Sequence, residues 1–126
     1  MEEDYGLAII SSPAEAAETL ARALVENHAA ACVQILRDAS TLYYWKGQVH
    51  FDTECILLVK TLESRMEKIK LLLKEIHPYE VPELIFLRIT GGSERYLEWL
   101  RNTAVSYTHL RAHETPEHLV CRLLLE

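Results

Sequence analysis

The sequence predicts an α+β fold, one antiparallel sheet with two helices packed on a single face. Three observations carry that reading. The segments Pro13–His28 and Ser64–Ile76 place apolar residues at helical spacing, apolar or β-branched runs precede and follow each of them, and Lys46-Gly47 forms a tight turn between the two longest of those runs. A chain of 126 residues with 4 Gly and 4 Pro is sized for one compact domain rather than two.

Taken in order, Leu7–Ile10 is a short apolar strand, and Ser11-Ser12-Pro13-Ala14-Glu15 supplies an N-cap, a proline at the first helical position and a capping glutamate. In the helix that follows, Ala17, Leu20, Ala21, Leu24, Val25 and His28 share one stripe, and Glu15, Glu18, Arg22 and Glu26 lie off it. Ala31–Leu36 reads as a buried strand. Ser40–Trp45 continues it after a polar interruption, Arg37-Asp38-Ala39, that marks a bulge. Gly47 accepts the positive φ of a hairpin turn, and Val49–Leu62 runs back. A strand of about 14 residues spans roughly 45 Å at about 3.3 Å per residue, against roughly 17–20 Å for an ordinary strand. The hairpin therefore outreaches its own domain, and so long an edge needs another chain to cover it.

Ser64-Arg65-Met66-Glu67 has the form of a second capping box, and Met66, Ile69, Leu72, Leu73 and Ile76 make the stripe of the second helix, which His77-Pro78 ends. Glu83–Thr90 is strand-like, Gly91-Gly92 breaks it, and Ser93 caps a short helix carrying Tyr96, Leu97, Trp99 and Leu100. The order β-α-β-β-α-β plus a C-terminal helix is that of the ferredoxin-like sandwich.

Composition excludes some functions. A net charge of −6 opposes binding to nucleic acid, where phosphate neutralisation dominates affinity. Apolar runs such as Cys55–Val59 fall far below the roughly 20 residues of a membrane helix. The start Met1-Glu2-Glu3-Asp4 lacks the basic and apolar regions of an export signal, so a cytoplasmic address is expected. Cys32, Cys55 and Cys121 are odd in number and well separated, which favours reduced thiols.

Five stretches go beyond the pattern: Ala30-Ala31-Cys32-Val33, Tyr43-Tyr44-Trp45-Lys46-Gly47, Lys60-Thr61, His77-Pro78-Tyr79-Glu80-Val81-Pro82-Glu83 and Tyr96-Leu97-Glu98-Trp99-Leu100. In order and spacing, from about Leu7 to about Thr103, they resemble the CutA divalent-cation tolerance family. The resemblance implies a ferredoxin-like subunit in a tight homotrimer with interlocking hairpins, similar in architecture to PII-type signalling trimers. It also implies a non-enzymatic role in the response to divalent metal ions, with weak binding of copper or another divalent cation and no required cofactor. Two departures stand out. Where many relatives carry Pro and Gly in the first hairpin strand, this chain has Arg37-Asp38-Ala39, and a cysteine proposed in some relatives to bind copper is replaced here by Ile10 or Ser11.

Within His77–Glu83, two X-Pro bonds hold an imidazole, a phenol and carboxylates in a short rigid loop. His77 and Glu83 are the candidate metal ligands, because imidazole with carboxylate suits Cu²⁺ or Zn²⁺, although a neighbouring chain or water would have to complete the shell. The competing reading is structural: the loop ends the helix and Tyr79 anchors it to a neighbouring subunit. Tyr43 and Trp45 near the hairpin tip are candidates for the trimer interface or a cleft in it. Cys32 and Cys55 read as core, and His28 as a helix-end residue. No nucleophile with an ordered base and no phosphate-cradling loop appears, so an enzyme is not expected. The alternative function is a PII-like regulatory module that binds a small anionic ligand or a partner protein in inter-subunit clefts.

The domain reading is 1–103, with a tail at 104–126 that has no family counterpart. His109, His113, His118 and Cys121 mimic zinc spacing there, but Ser106–Leu125 resembles translated adapter or vector read-through, which would make it a processing scar.

Overall fold

Alternation along the strands decides the layers of the sheet, and the computed structural model, which describes residues 4–105, shows where each face points. The elements are β1 (Tyr5–Ser12), α1 (Ala14–Glu26), β2 (Cys32–Trp45), β3 (Gln48–Leu62), a single 3₁₀ turn at Glu63–Arg65, α2 (Met66–Ile76), β4 (Leu84–Arg88) and α3 (Glu94–Val105). The strands form one antiparallel sheet in the order β2-β3-β1-β4. The expected α+β ferredoxin-like sandwich is therefore present, with its two crossovers through α1 and α2.

Cross-strand partners share a face. The rows Val33–Val59–Ala8–Phe86 and Ile35–Leu57–Ile10–Leu84 face α1 and α2, whose Leu20, Leu24, Ile69 and Leu73 complete the main core. Cys55 is buried in this core and Cys32 is half-buried. The opposite face carries Leu36–Ile56, Leu58–Ile9–Ile85 and Leu7–Leu87. Helix α3 covers only its far end, where Trp99, Leu100 and Ala104 pack with Leu62, Tyr5 and Cys32. Among the described residues nothing covers the middle of this second face, and Leu36, Ile85 and Leu87 are each about half exposed.

The bulge falls where the polar interruption places it. One extra residue of β2 lies between Leu36 and Ala39, with Asp38 at φ 62°, so Ala39 rather than Asp38 opposes Glu54. At the tip, Lys46 (φ 53°) and Gly47 (φ 80°) form a two-residue turn with both residues left-handed, the form that matches strand twist. β1 pairs with β3 only as far as Cys55, so Gln48–Glu54 is bonded on one side alone. Those residues project the ribbon by roughly 23 Å at about 3.3 Å each. Its two faces differ. Leu42, Tyr44, Val49 and Phe51 lie exposed on one, while Thr41, Tyr43, Trp45, Asp52 and Glu54 lie on the other.

Two caps differ from expectation. Ser12 does not cap α1: its hydroxyl donates to the Pro13 carbonyl (3.0 Å), and extended Pro13 stands at the N-cap with no side-chain bond. Ser64 does not form a capping box either, because the chain enters α2 through the 3₁₀ turn and no side chain caps either start. Ser93 does cap α3, accepting from the Tyr96 N–H at 3.3 Å. His28 ends α1 through its backbone. At φ 58° it sits between paired bonds, His28 N–H to the Val25 carbonyl (3.0 Å) and Ala29 N–H to the Leu24 carbonyl (2.9 Å), in a position usually given to glycine. Helix α3 runs two residues past the expected domain end at 103, and Ala104 is fully buried, its carbonyl accepting from Arg65 Nε at 2.7 Å. The zinc-like spacing of His109, His113, His118 and Cys121 lies outside the described residues.

Candidate functional site

The segment between α2 and β4 wraps the end of β1. Proline at 78 disfavours helical geometry in the residue before it, so His77 is extended (φ −77°, ψ 133°) and its N–H closes α2 on the Leu73 carbonyl at 2.9 Å. The imidazole is buried, at 9% exposure, and both its nitrogens are engaged: Nε2–H donates to the Ser11 carbonyl (2.7 Å), and Nδ1 accepts the Tyr79 N–H (3.1 Å). That pair of partners sets the neutral tautomer with its proton on Nε2. His77 ties the loop to β1, and no lone pair on the ring is free for a metal.

Tyr79 tilts against His77, with centroids 4.9 Å apart, and extends its hydroxyl to Glu54 Oε2 at 2.6 Å. Glu54 is 7% exposed. Burial first, then the bond to this carboxylate, raises the Tyr79 phenol far above its ordinary value. On the arm, Tyr43 donates to Asp52 Oδ2 and stacks on half-buried His50, with centroids 5.4 Å apart, and the bond to Asp52 is the main cause that raises its phenol. Both tyrosines thus stay protonated donors at neutral pH.

Between arm and loop lies a cleft of about 440 Å³ lined by Ser11, Thr41, Tyr43, Trp45, Asp52, Glu54 and Tyr79–Glu83. Of the residues singled out from sequence, Tyr43, Trp45, Tyr79 and Glu83 meet there. His77 does not; it faces a smaller hollow of about 290 Å³ beside Lys70 and Lys74. His77 and Glu83 thus line different hollows, and among the described residues no group of three or more His, Cys, Asp or Glu is set to hold a metal ion. Asp52 and Glu54 escaped the sequence reading. Their signal was present: two carboxylates two apart in a β-type run share one face of the strand.

A two-helix antiparallel sandwich with an overlong ribbon and a carboxylate-and-aromatic cleft at its base defines the ferredoxin-like class with a projecting arm. The chain belongs to the CutA1 divalent ion tolerance protein family, whose profile matches residues 7–103. Over 102 residues it is 45% identical to the divalent-cation tolerance protein CutA of Thermus thermophilus, spanning 80% of this chain and 96% of that one. The solved structure of the Thermus thermophilus protein superposes with a TM-score of 0.77 at 42% identity, over 79% of this chain and 98% of the other. The PII-like protein CutA of Nostoc superposes at 0.75 with 31% identity, over 81% and 99%. A chloroplastic CutA of Arabidopsis thaliana is 44% identical over 89 residues, but this chain spans only 49% of it. Chloroplastic and periplasmic members occur among the relatives by name, and no helix of the described residues is long and apolar enough to cross a membrane.

Proposed function

We propose that the chain acts as a non-enzymatic cytoplasmic homotrimer in the tolerance of divalent metal ions. The carrying observation is the exposed apolar surface among the described residues: Leu36, Ile85 and Leu87 on the second sheet face, and Leu42, Tyr44, Val49 and Phe51 on one side of the arm. Monomers rarely leave such patches in water, and an unpaired arm invites open-ended association unless a closed ring of copies covers it. The role in tolerance is supported by family membership. The absence of an enzymatic role is supported by His77, whose two nitrogens are spent on backbone groups and leave it no part as a base.

No cofactor is required on this reading. Copper or another divalent cation meets the chain weakly at Glu83, with water completing the shell, while His77 keeps its structural task. The PII-like alternative is favoured by the cleft itself, which has the size of a small-molecule site. Among the described residues its lining carries four carboxylates and no basic side chain, which repels an anion, however. The test is complementation: in copper-sensitive cells lacking their own relative, the intact chain restores growth on copper, and an arm shortened by removing Leu42–Phe51 does not. Failure of the intact chain to restore growth contradicts the tolerance role.

A further inference from the structure

Lys60 stands on the second sheet face, where its cross-strand partners are Cys32 and Leu7, and Leu7 in turn pairs with Leu87. An ammonium group therefore rises from an otherwise apolar row. The side chain is half-buried already, its Nζ donates to the Gln34 amide oxygen, and no salt bridge among the described residues includes it. Glu63, three residues on, is held by Arg88 at 2.7 Å. Covering this face with another copy takes water away from Lys60, and a buried charge without a counter-charge is strongly unfavourable. A contact that forms here must bring a carboxylate with it.

The same face supplies carboxylates at its other end. Side chains alternate along β3, so Lys60, Leu58, Ile56, Glu54 and Asp52 share one side of the strand. Ser11, opposite Ile56, lines the cleft together with Glu54 and Asp52, which puts the cleft on this face. Lys60 and Glu54 are six positions apart, roughly 20 Å at about 3.3 Å per residue, so they cannot pair within one chain. Asp52 and Glu54 also stand outside every salt bridge among the described residues, and their hydrogen bonds come from the neutral phenols of Tyr43 and Tyr79. The face is thus polarised, with an ammonium at one end, apolar residues in the middle and carboxylates at the other. Two such faces are complementary when the Lys60 end of one lies over the Asp52–Glu54 end of the next. A second copy fits because it brings the apolar middle and both charges at once.

We infer that across each subunit contact Lys60 of one copy pairs with Asp52 or Glu54 of the next. Each copy gives its ammonium to one neighbour and receives one from the other, a head-to-tail contact that a ring of copies closes. The inference rests on the proposed assembly and adds which ends of the sheet face meet.

Zero-length carbodiimide cross-linking of the full chain, co-assembled from ordinary and ¹⁵N-labelled copies, tests it directly. Peptide mass spectrometry finds Lys60 joined to Asp52 or Glu54 with one light and one heavy partner, a product that no link within one chain can give. Charge reversal gives an independent reading. Lys60→Glu sets like charges against each other and raises the protomer concentration of half-dissociation roughly tenfold or more. Asp52→Lys added to it restores the opposite signs and brings that concentration back toward the parent's. A parent-mass assembly without the mixed-label link, a Lys60→Glu assembly as tight as the parent's, or a double variant no tighter than Lys60→Glu alone overturns the inference and leaves the assembly standing. A parent chain that runs as a monomer overturns both.

Discussion

Tyr79→Phe removes a single oxygen and leaves the ring against His77, so it isolates the 2.6 Å bond to Glu54. A hydrogen bond to a charged group contributes about 1.5–3 kcal/mol, and stranding its buried partner costs a similar amount. Glu54 is 7% exposed and cannot be fully rehydrated, while half-buried Tyr79 admits some water, so the working figure is about 2 kcal/mol. The assay is urea unfolding at pH 7 and at fixed protomer concentration, because association adds to apparent stability. The same bond sets an alkaline limit. In the folded chain the phenol is raised by burial and then by Glu54, whereas in the unfolded chain it ionises near its ordinary value of 10.0. The unfolded state therefore sheds this proton first as pH rises, so the contribution is full below about pH 10 and is lost above it. The phenylalanine variant lacks that loss, and the gap between the two proteins shrinks by about 1.4 kcal/mol by pH 11. A difference below about 0.5 kcal/mol at pH 7, or one that stays constant from pH 8 to 11, refutes the reasoning.

Three further outcomes are expected. Ile9→Asp puts an unpaired charge at the centre of the Leu58–Ile9–Ile85 row, and burying it at a subunit contact costs several kcal/mol, so light scattering should show smaller species or aggregates in place of the parent assembly. Gly6→Ala places a Cβ at 2.0 Å from the tip of the Phe86 ring, which must swing out of its packing; a loss of about 1–3 kcal/mol in thermal unfolding is expected, and none would mean the ring moves freely. His77→Ala loses two backbone hydrogen bonds and destabilises the chain by about 2 kcal/mol, yet changes copper affinity by less than threefold, whereas Glu83→Gln lowers it. A tenfold loss of copper affinity in His77→Ala would restore the imidazole as a ligand.

The periodicity of α1 and α2, the Lys46-Gly47 turn and the Arg37-Asp38-Ala39 interruption made the sandwich and its bulged arm legible in the sequence, because each follows from local rules of side-chain spacing and backbone sterics. Helix starts were less legible. Ser12 and Ser64 have capping side chains in capping positions, but backbone turns at Pro13 and at Glu63–Arg65 take over the start of each helix. The cleft was half legible. Tyr43, Trp45, Tyr79 and Glu83 drew attention by residue type, but only the fold reveals that the bulge at Leu36–Ala39 sets Ala39 opposite Glu54 and that Tyr79 reaches across to it. His77 shows the converse. Its type suggested a ligand, and only three-dimensional neighbours, the Ser11 carbonyl and the Tyr79 N–H, disclose that the ring is already spent.

The central claim is that the uncovered sheet face and arm are closed by copies of the same chain. Native mass spectrometry of the full chain, checked by light scattering across a hundredfold dilution, tests it most directly. The account predicts one species of three times the 14.5 kDa chain, unchanged on dilution. A stable monomer with its arm and second sheet face in water would contradict it.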